Sequence, residues 1–264
     1  MISLVSKRKA AEQVIELFST HYRKTKKRWP TIFDVSEPIV FKLNNQRVKG
    51  YRWNKNQPHK ILILHGFGSA AHKFHQYVAP LVKKGYEVLA FDAPAHGSSE
   101  GDTVNALQYK QMIENIIAWY GPINGFMAHS FGGIALSLAL EQNLPDENTR
   151  IVFIAPATET VSAVDQAFKM LHLNDKGVRK EFENLIIKQT GHPIEWYSMN
   201  RAVQNIPCKI LWIHDEEDYV TPIIDIMPLK NKKLPNIEFL ITKGLGHRRI
   251  YHDTRVKNTI IDFL

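Results

Sequence analysis

Six short runs in the chain are almost wholly apolar: Ile61-Leu62-Ile63-Leu64, Val88-Leu89-Ala90-Phe91, Gly125-Phe126-Met127-Ala128, Ile151-Val152-Phe153-Ile154, Ile210-Leu211-Trp212-Ile213 and Ile237 to Ile241. A strand wetted on one face alternates apolar with polar residues, so runs without alternation suit strands buried on both faces of a parallel sheet. Between most of them the apolar residues recur at helical spacing, over His72 to Lys84, Val104 to Tyr120, Phe131 to Gln142 and Asp253 to Leu264. This strand-then-helix order predicts a three-layer α/β domain that takes ligands at the carboxyl ends of its strands. Upstream, Pro38 to Leu43 and Arg47 to Trp53 alternate and are joined through Asn44-Asn45, which reads as a β-hairpin.

One connection breaks the rhythm. Ala157 to Pro207 reads as helices, with Val161 to Leu173 and Lys176 to Gln189 the clearest, and an inserted cap over the strand ends accounts for them. With the hairpin counted, the expectation is a mostly parallel eight-stranded sheet flanked by helices, with the cap between strands 6 and 7. The chain then divides into a basic N-terminal helix and linker (1–36), a core (37–156 and 208–264) and the cap (157–207).

Composition excludes several classes. With 44% hydrophobic residues, 14 Gly and 13 Pro, the chain is neither disordered nor collagen-like. Cys208 is the single cysteine, so no internal disulfide forms, and its place at a strand start suits inert core. Charge arrives too early after Met1 for a signal peptide, and no window approaches the ~20 apolar residues of a spanning helix, so a cytoplasmic protein is expected. The net charge of +8 is concentrated: residues 1–30 hold Lys7, Arg8, Lys9, Arg23, Lys24, Lys26, Lys27 and Arg28 against Glu12 and Glu16. There Leu4, Ala11, Val14, Ile15 and Phe18 recur at helical spacing. The first reading is a helix packed on the domain with a solvated charged edge; the alternative is weak peripheral contact with an anionic membrane through residues 1–30. No zinc spacing, RNA-binding signature or aromatic-basic interleaving accompanies the patch, so a nucleic-acid partner is not expected.

The most informative segment is Ala128-His129-Ser130-Phe131-Gly132-Gly133, which follows one expected strand and opens a helix. A sharp turn there lifts a serine hydroxyl above the sheet, and small neighbours let the turn pack. A serine needs a base, and the base an orienting carboxylate. Downstream, one strand runs into His214-Asp215-Glu216-Glu217-Asp218-Tyr219-Val220-Thr221-Pro222 and the next into Gly244-Leu245-Gly246-His247. Singly, Asp218 is one of four neighbouring acids and His247 one of 12 histidines. Jointly, Ser, Asp and His fall in order at three strand ends.

On these motifs the sequence resembles the α/β-hydrolase fold superfamily over residues 38–264, as a serine esterase-like hydrolase, with Ala128 replacing the first Gly of its Gly-x-Ser-x-Gly pattern. The resemblance implies a catalytic triad of Ser130, Asp218 and His247, with Asp218 favoured over Asp215 by its place before a Val-x-Pro turn. His65-Gly66-Phe67-Gly68 resembles the segment that supplies an oxyanion donor, which implies the amides of Phe67 and Phe131. Asp92-Ala93-Pro94-Ala95-His96-Gly97-Ser98 resembles a loop of structural role, so Asp92, His96 and Ser98 are not assigned to catalysis. The ending Gly-His-Arg-Arg-Ile is similar to that of a bacterial subgroup. A dehalogenase or epoxide hydrolase of this fold would carry Asp at the elbow, where Ser130 stands.

The expected function is a cofactor-independent serine hydrolase acting on a small-molecule carboxylic ester or thioester. Carbon-carbon bond hydrolysis, amide hydrolysis and acyl transfer use the same parts, and a non-catalytic binding module at a membrane surface is the alternative of another class. Phe168, Met170, Leu171, Trp196, Tyr197 and Met199 are candidates for an apolar substrate lining or for the cap's own core. His72 and His75 share a helix face, but no Cys or carboxylate completes a metal site.

Overall fold

The computed structural model describes residues 6–20 and 29–264. Leu4 and the basic residues from Arg23 to Arg28 lie outside the described residues. Eight strands form one sheet: β1 Glu37–Leu43, β2 Gln46–Trp53, β3 Lys60–Leu64, β4 Glu87–Phe91, β5 Gly125–His129, β6 Arg150–Ile154, β7 Lys209–Asp215 and β8 Ile237–Thr242. Their spatial order is β1-β2-β4-β3-β5-β6-β7-β8, antiparallel at β1-β2 and β2-β4 and parallel elsewhere. The hairpin turns where the sequence placed it, because Asn44 and Asn45 adopt φ of 48° and 66°, as a two-residue turn between right-twisted strands requires.

Successive residues of a strand face opposite sides of the sheet. In β3, Leu62 and Leu64 belong to one buried cluster and Ile61 and Ile63 to the other. The helices are α1 Lys7–Ser19, α2 His75–Lys83, α3 Ala106–Tyr120, α4 Phe131–Gln142, α5 Thr160–Met170, α6 Lys176–Thr190, α7 Met199–Ala202, α8 Met227–Asn231, α9 Gly246–Arg249 and α10 Thr254–Phe263. The first cluster gathers α3 through Tyr109, Met112, Ile113 and Ile116 together with α4; the second gathers Tyr77, Val78 and Leu81 of α2 with Val256 and Ile260 of α10. Helices therefore cover both faces of the central strands β3 to β7, which is why these carry no polar alternation, whereas the hairpin strands β1 and β2 do alternate.

Element ends differ from the sequence expectation where side chains cap them. The stretch from His72 opens as a 3₁₀ turn, Ala71–Phe74, before α2. α3 starts at Ala106 rather than Val104, since the Asn105 side chain accepts from the Gln108 amide while Gln108 reaches back to the Asn105 amide, a reciprocal cap. Asp253 lies outside α10 because its carboxylate accepts from the Arg255 and Val256 amides. β7 continues two residues beyond Ile213, which makes His214 and Asp215 strand residues paired with Ile241 and Thr242 of β8.

Between β6 and β7 the chain forms α5, α6 and α7. A third cluster joins Val164 and Phe168 of α5, Val178, Phe182 and Leu185 of α6, and Ala11 and Val14 of α1. Burial of a Val, Leu or Phe side chain contributes roughly 1.5–3 kcal/mol, so this cluster docks the N-terminal helix firmly. The apolar face of α1 is thus occupied within the chain, with Arg8 and Glu12 paired on its exposed side. Among the described residues no helix is long and apolar enough to cross a membrane.

Candidate active site

Ser130 stands between the end of β5 and the start of α4, with φ of 52° and ψ of −121°. A non-glycine residue held there costs on the order of 1–3 kcal/mol and persists only where its surroundings fix it. Its amide donates to the Ile154 carbonyl at 3.1 Å, and its carbonyl accepts from the Gly133 and Ala157 amides at 2.8 and 3.1 Å. Two glycines permit the close packing around the turn. A Cβ on Gly132 would come within 2.7 Å of the His65 carbonyl oxygen, and one on Gly66 within 2.7 Å of the Ser130 Cβ. Ala128 is fully buried, so the sheet accommodates the methyl group where the pattern has glycine.

His247 is in α9, the short helix after β8. Its Nε2 lies 2.9 Å from Ser130 Oγ, and its Nδ1 lies 2.8 Å from Asp218 Oδ2. The Val220 and Thr221 amides donate to Asp218 Oδ1, both at 2.9 Å, and the Thr221 hydroxyl donates to Oδ2 at 2.8 Å. Burial alone would raise the Asp218 carboxyl, but hydrogen bonding and attraction from His247, with the bonds from Thr221, outweigh it and hold the group below its ordinary value. Thr221 was not singled out by sequence reasoning beyond its place in the Val-x-Pro turn. That turn is what aims its amide and hydroxyl at the carboxylate.

Asp215, the alternative acid, does not face His247. Its Oδ2 accepts from the Thr242 hydroxyl and the Leu245 amide, and its Oδ1 from the Glu217 amide. Of the two residues expected to supply oxyanion donors, Phe131 opens α4, whose first amides have no intrahelical acceptor. Phe67 lies in the loop after β3, its ring edge-on to that of Phe131 at 5.9 Å. That loop is clasped to the loop after β4 by two histidines. His65 Nε2 accepts from the Ala93 amide and His96 Nε2 from the Gly68 amide, both at 2.9 Å. Their Nδ1 atoms donate to the Gly66 and Pro94 carbonyls. Asp92 is fully buried and accepts from the Ala71 and Ser98 amides.

A depression of about 390 Å³ opens beside His247, lined by Glu217, Tyr219, Val220, Leu245, Gly246, Arg248 and Arg249 as well. The residues proposed from sequence for a substrate lining are elsewhere. Phe168 packs edge-on against Phe182 at 5.5 Å, Met170 is 74% exposed, and Trp196 stacks on His192 at 4.0 Å with the Arg201 guanidinium over its ring. Helical spacing does not say which face of an inserted helix meets the site, and here the apolar faces meet one another. Tyr197 and Met199 are buried in the main core. His75 Nδ1 donates to the His72 carbonyl. Burial pushes the Cys208 thiol up to about 11, which leaves it protonated and inert near neutral pH.

His129, inside the elbow motif, has a place of its own. Its Nε2 donates to the His247 carbonyl at 3.0 Å, and its ring lies 4.8 Å from that of His247. Burial, reinforced by repulsion from His247, pushes its imidazole down to about 3. His214 is lowered as well, chiefly by burial, while its Nε2 donates to the Thr221 carbonyl. Both are neutral in the folded protein, whereas in the unfolded chain each takes a proton near the ordinary value of 6.5. The unfolded state therefore binds more protons below that value, and stability that is full above it is lost as pH falls toward the folded value near 3. Each pH unit in that window costs about 1.4 kcal/mol per fully neutral histidine. The Tm should fall between about pH 6 and pH 4, and the fall should be shallower in His129→Phe; equal slopes in the two proteins would contradict a buried neutral His129.

Residues 56–206 match the family described as serine aminopeptidase, S33. Lysophosphatidylserine lipase ABHD12 of Danio rerio is 29% identical over 228 residues, covering 77% of this chain and 57% of that protein. A Mycoplasma pneumoniae protein bearing an esterase/lipase name is 27% identical over 112 residues, 41% of either chain. The chain spans about half the length of these curated relatives. Among solved structures, the Pyrococcus furiosus esterase Pf2001 superposes with a TM-score of 0.68 at 16% identity, over 93% of this chain and 96% of that one. Mouse α/β hydrolase domain-containing protein 10 does so with a TM-score of 0.62 at 17% identity, over 86% and 96%. At such identities the likeness shows the fold. The family match over more than half of the chain shows that it belongs to the serine aminopeptidase, S33 family, and the sheet order and the superposed structures show the α/β-hydrolase fold.

Proposed function

We propose that the protein hydrolyses a carboxylic ester or thioester through an acyl-enzyme on Ser130, with His247 as general base and acid and Asp218 as its orienting partner. The observation that carries this reading is the continuous line from Ser130 Oγ to His247 Nε2 at 2.9 Å and from His247 Nδ1 to Asp218 Oδ2 at 2.8 Å. Ser130 Oγ attacks the acyl carbon while its proton passes to His247 Nε2. The carbonyl oxygen becomes an oxyanion, which the Phe67 and Phe131 amides stabilise. Collapse breaks the bond to the alkoxide or thiolate, which leaves with the proton from Nε2. Water then attacks the acyl carbon, gives its proton to Nε2, and Ser130 is regenerated as the acid departs. Asp218 stays ionised throughout and stabilises the transient imidazolium, a role its lowered carboxyl supports.

The family's description makes amide hydrolysis at a free amino terminus the competing reading. An aminopeptidase must hold a substrate ammonium, which calls for uncompensated carboxylates near the nucleophile. The depression beside His247 instead sets Arg248 and Arg249 against the one carboxylate Glu217 in its lining, which favours an ester. The test is a panel of 4-nitrophenyl esters of graded acyl length, matched thioesters and amino acid 4-nitroanilides. Ester or thioester turnover blocked by a fluorophosphonate is the expected result. Preference for the anilides would overturn the ester reading, and no turnover or labelling of folded protein would overturn the hydrolase mechanism.

A further inference from the structure

Asp215 is fully buried, yet the mechanism above gives it no part. Its bonds join the two loops that carry the acid and the base. On the acid side, its Oδ1 accepts from the Glu217 amide at 3.0 Å, and its own carbonyl accepts from the Asp218 amide at 3.2 Å. On the base side, its Oδ2 accepts from the Thr242 hydroxyl at 2.7 Å and from the Leu245 amide at 3.0 Å, two residues before His247. These bonds outweigh the burial that would otherwise raise the carboxyl, and it lies below its ordinary value, so the buried group is an anion.

The same short loop is gripped from its other side. Arg249 donates from Nε to the Leu245 carbonyl at 3.2 Å and from a terminal nitrogen to the Gly244 carbonyl at 2.7 Å. Gly244 and Gly246 adopt φ of 81° and 60°, a path that supplies no regular ladder of its own. An anion therefore takes the amide and a cation the carbonyls of the peptide units that lead into His247.

We propose that Asp215 and Arg249 are positioning residues, which together set the spacing of His247 from Asp218 and from Ser130. The assignment rests on the Ser130 mechanism proposed above. Asp215 fastens the base loop to the acid loop, so that the 2.8 Å bond between His247 and Asp218 is fixed from behind rather than by the pair alone. Arg249 stops the glycine-flanked peptide from rotating, which would swing the imidazole off Ser130 Oγ. A displacement near 1 Å at such a pair costs roughly 10²-fold in rate, which sets the scale of the effect.

Asp215→Asn keeps the size of the side chain and replaces one acceptor oxygen by a donor that faces the Leu245 amide and the Thr242 hydroxyl. Its kcat on the best ester of the panel should fall by about 10²-fold with KM within about twofold, and Arg249→Gln should lose about tenfold in kcat in the same pattern. The low-field proton resonance of His247 Nδ1, read by NMR, should shift or broaden in both. Folded variants with wild-type kcat and an unmoved resonance would overturn the proposal, as would a change confined to KM. If Asp215→Asn does not fold, Arg249→Gln, which alters an exposed side chain, decides by the same readouts. If the folded wild type turns over no substrate of the panel and takes no fluorophosphonate, the serine mechanism fails separately, and the resonance still reports whether Asp215 and Arg249 hold the His247–Asp218 pair.

Discussion

Ser130→Ala should lower ester turnover by about 10⁶-fold, to the residue of catalysis that binding and the oxyanion donors alone supply. The size of the effect follows from the covalent role. Without the hydroxyl no acyl-enzyme forms, and a water in its place would have to be activated without the orientation that the elbow gives Ser130. The loss should be chemical rather than structural, because the hydroxyl makes its contact with His247 Nε2 whereas the backbone bonds to Ile154, Gly133 and Ala157 hold the turn. Alanine inherits the same strained φ of 52° at no added cost relative to serine. The Tm should therefore stay within a few degrees of wild type, and fluorophosphonate labelling should vanish. Labelling that persists in a folded Ser130→Ala protein would place the nucleophile on another residue.

Much of this site was legible because its signals are local. The elbow needs small residues on either side of Ser130, and the strands that deliver Ser130 and Asp218 are buried on both faces, so each carries an unbroken apolar run, while β8 before His247 is broken only by the exposed Glu238. What escaped the sequence depends on how separate segments meet. Asp215 was visible as an acid beside Asp218, but its work depends on β7 continuing to pair with β8 through Thr242, two residues past the apolar run. His129 lies within the elbow motif, yet its bond to the His247 carbonyl joins segments far apart in sequence. The reciprocal clasp of His65 and His96 likewise needs two loops side by side. Between a substrate lining and the inserted helices' own core the sequence could not choose for Phe168, because what decides is which segments meet it, and here α1 and α6 cover it. The helix of the basic N-terminal segment packs on the domain as its spacing suggests, and what the sequence did not show is its partner: Ala11 and Val14 serve as the third wall of the helices inserted after β6.

Asp218→Asn should reduce kcat by about 10⁴-fold while the protein stays folded. The carboxamide oxygen can keep the two bonds from the Val220 and Thr221 amides, so the turn that holds the residue survives. Its nitrogen then takes the place of Oδ2, opposite His247 Nδ1 and the Thr221 hydroxyl. An amide nitrogen donates, which forces His247 Nδ1 to accept and moves the imidazole proton to Nε2. That tautomer presents a proton, not a lone pair, to Ser130 Oγ and cannot act as its base. KM should change little, because Asp218 has no exposed surface for a substrate to touch. Steady-state kinetics of Asp218→Asn beside Asp215→Asn separates the two acids: the first reverses the tautomer and the second only loosens its seat, so the first should lose about a hundredfold more in kcat. Equal losses would mean that both carboxylates act on the imidazole through position alone, and a loss in Asp218→Asn under tenfold would remove Asp218 from the proposed triad.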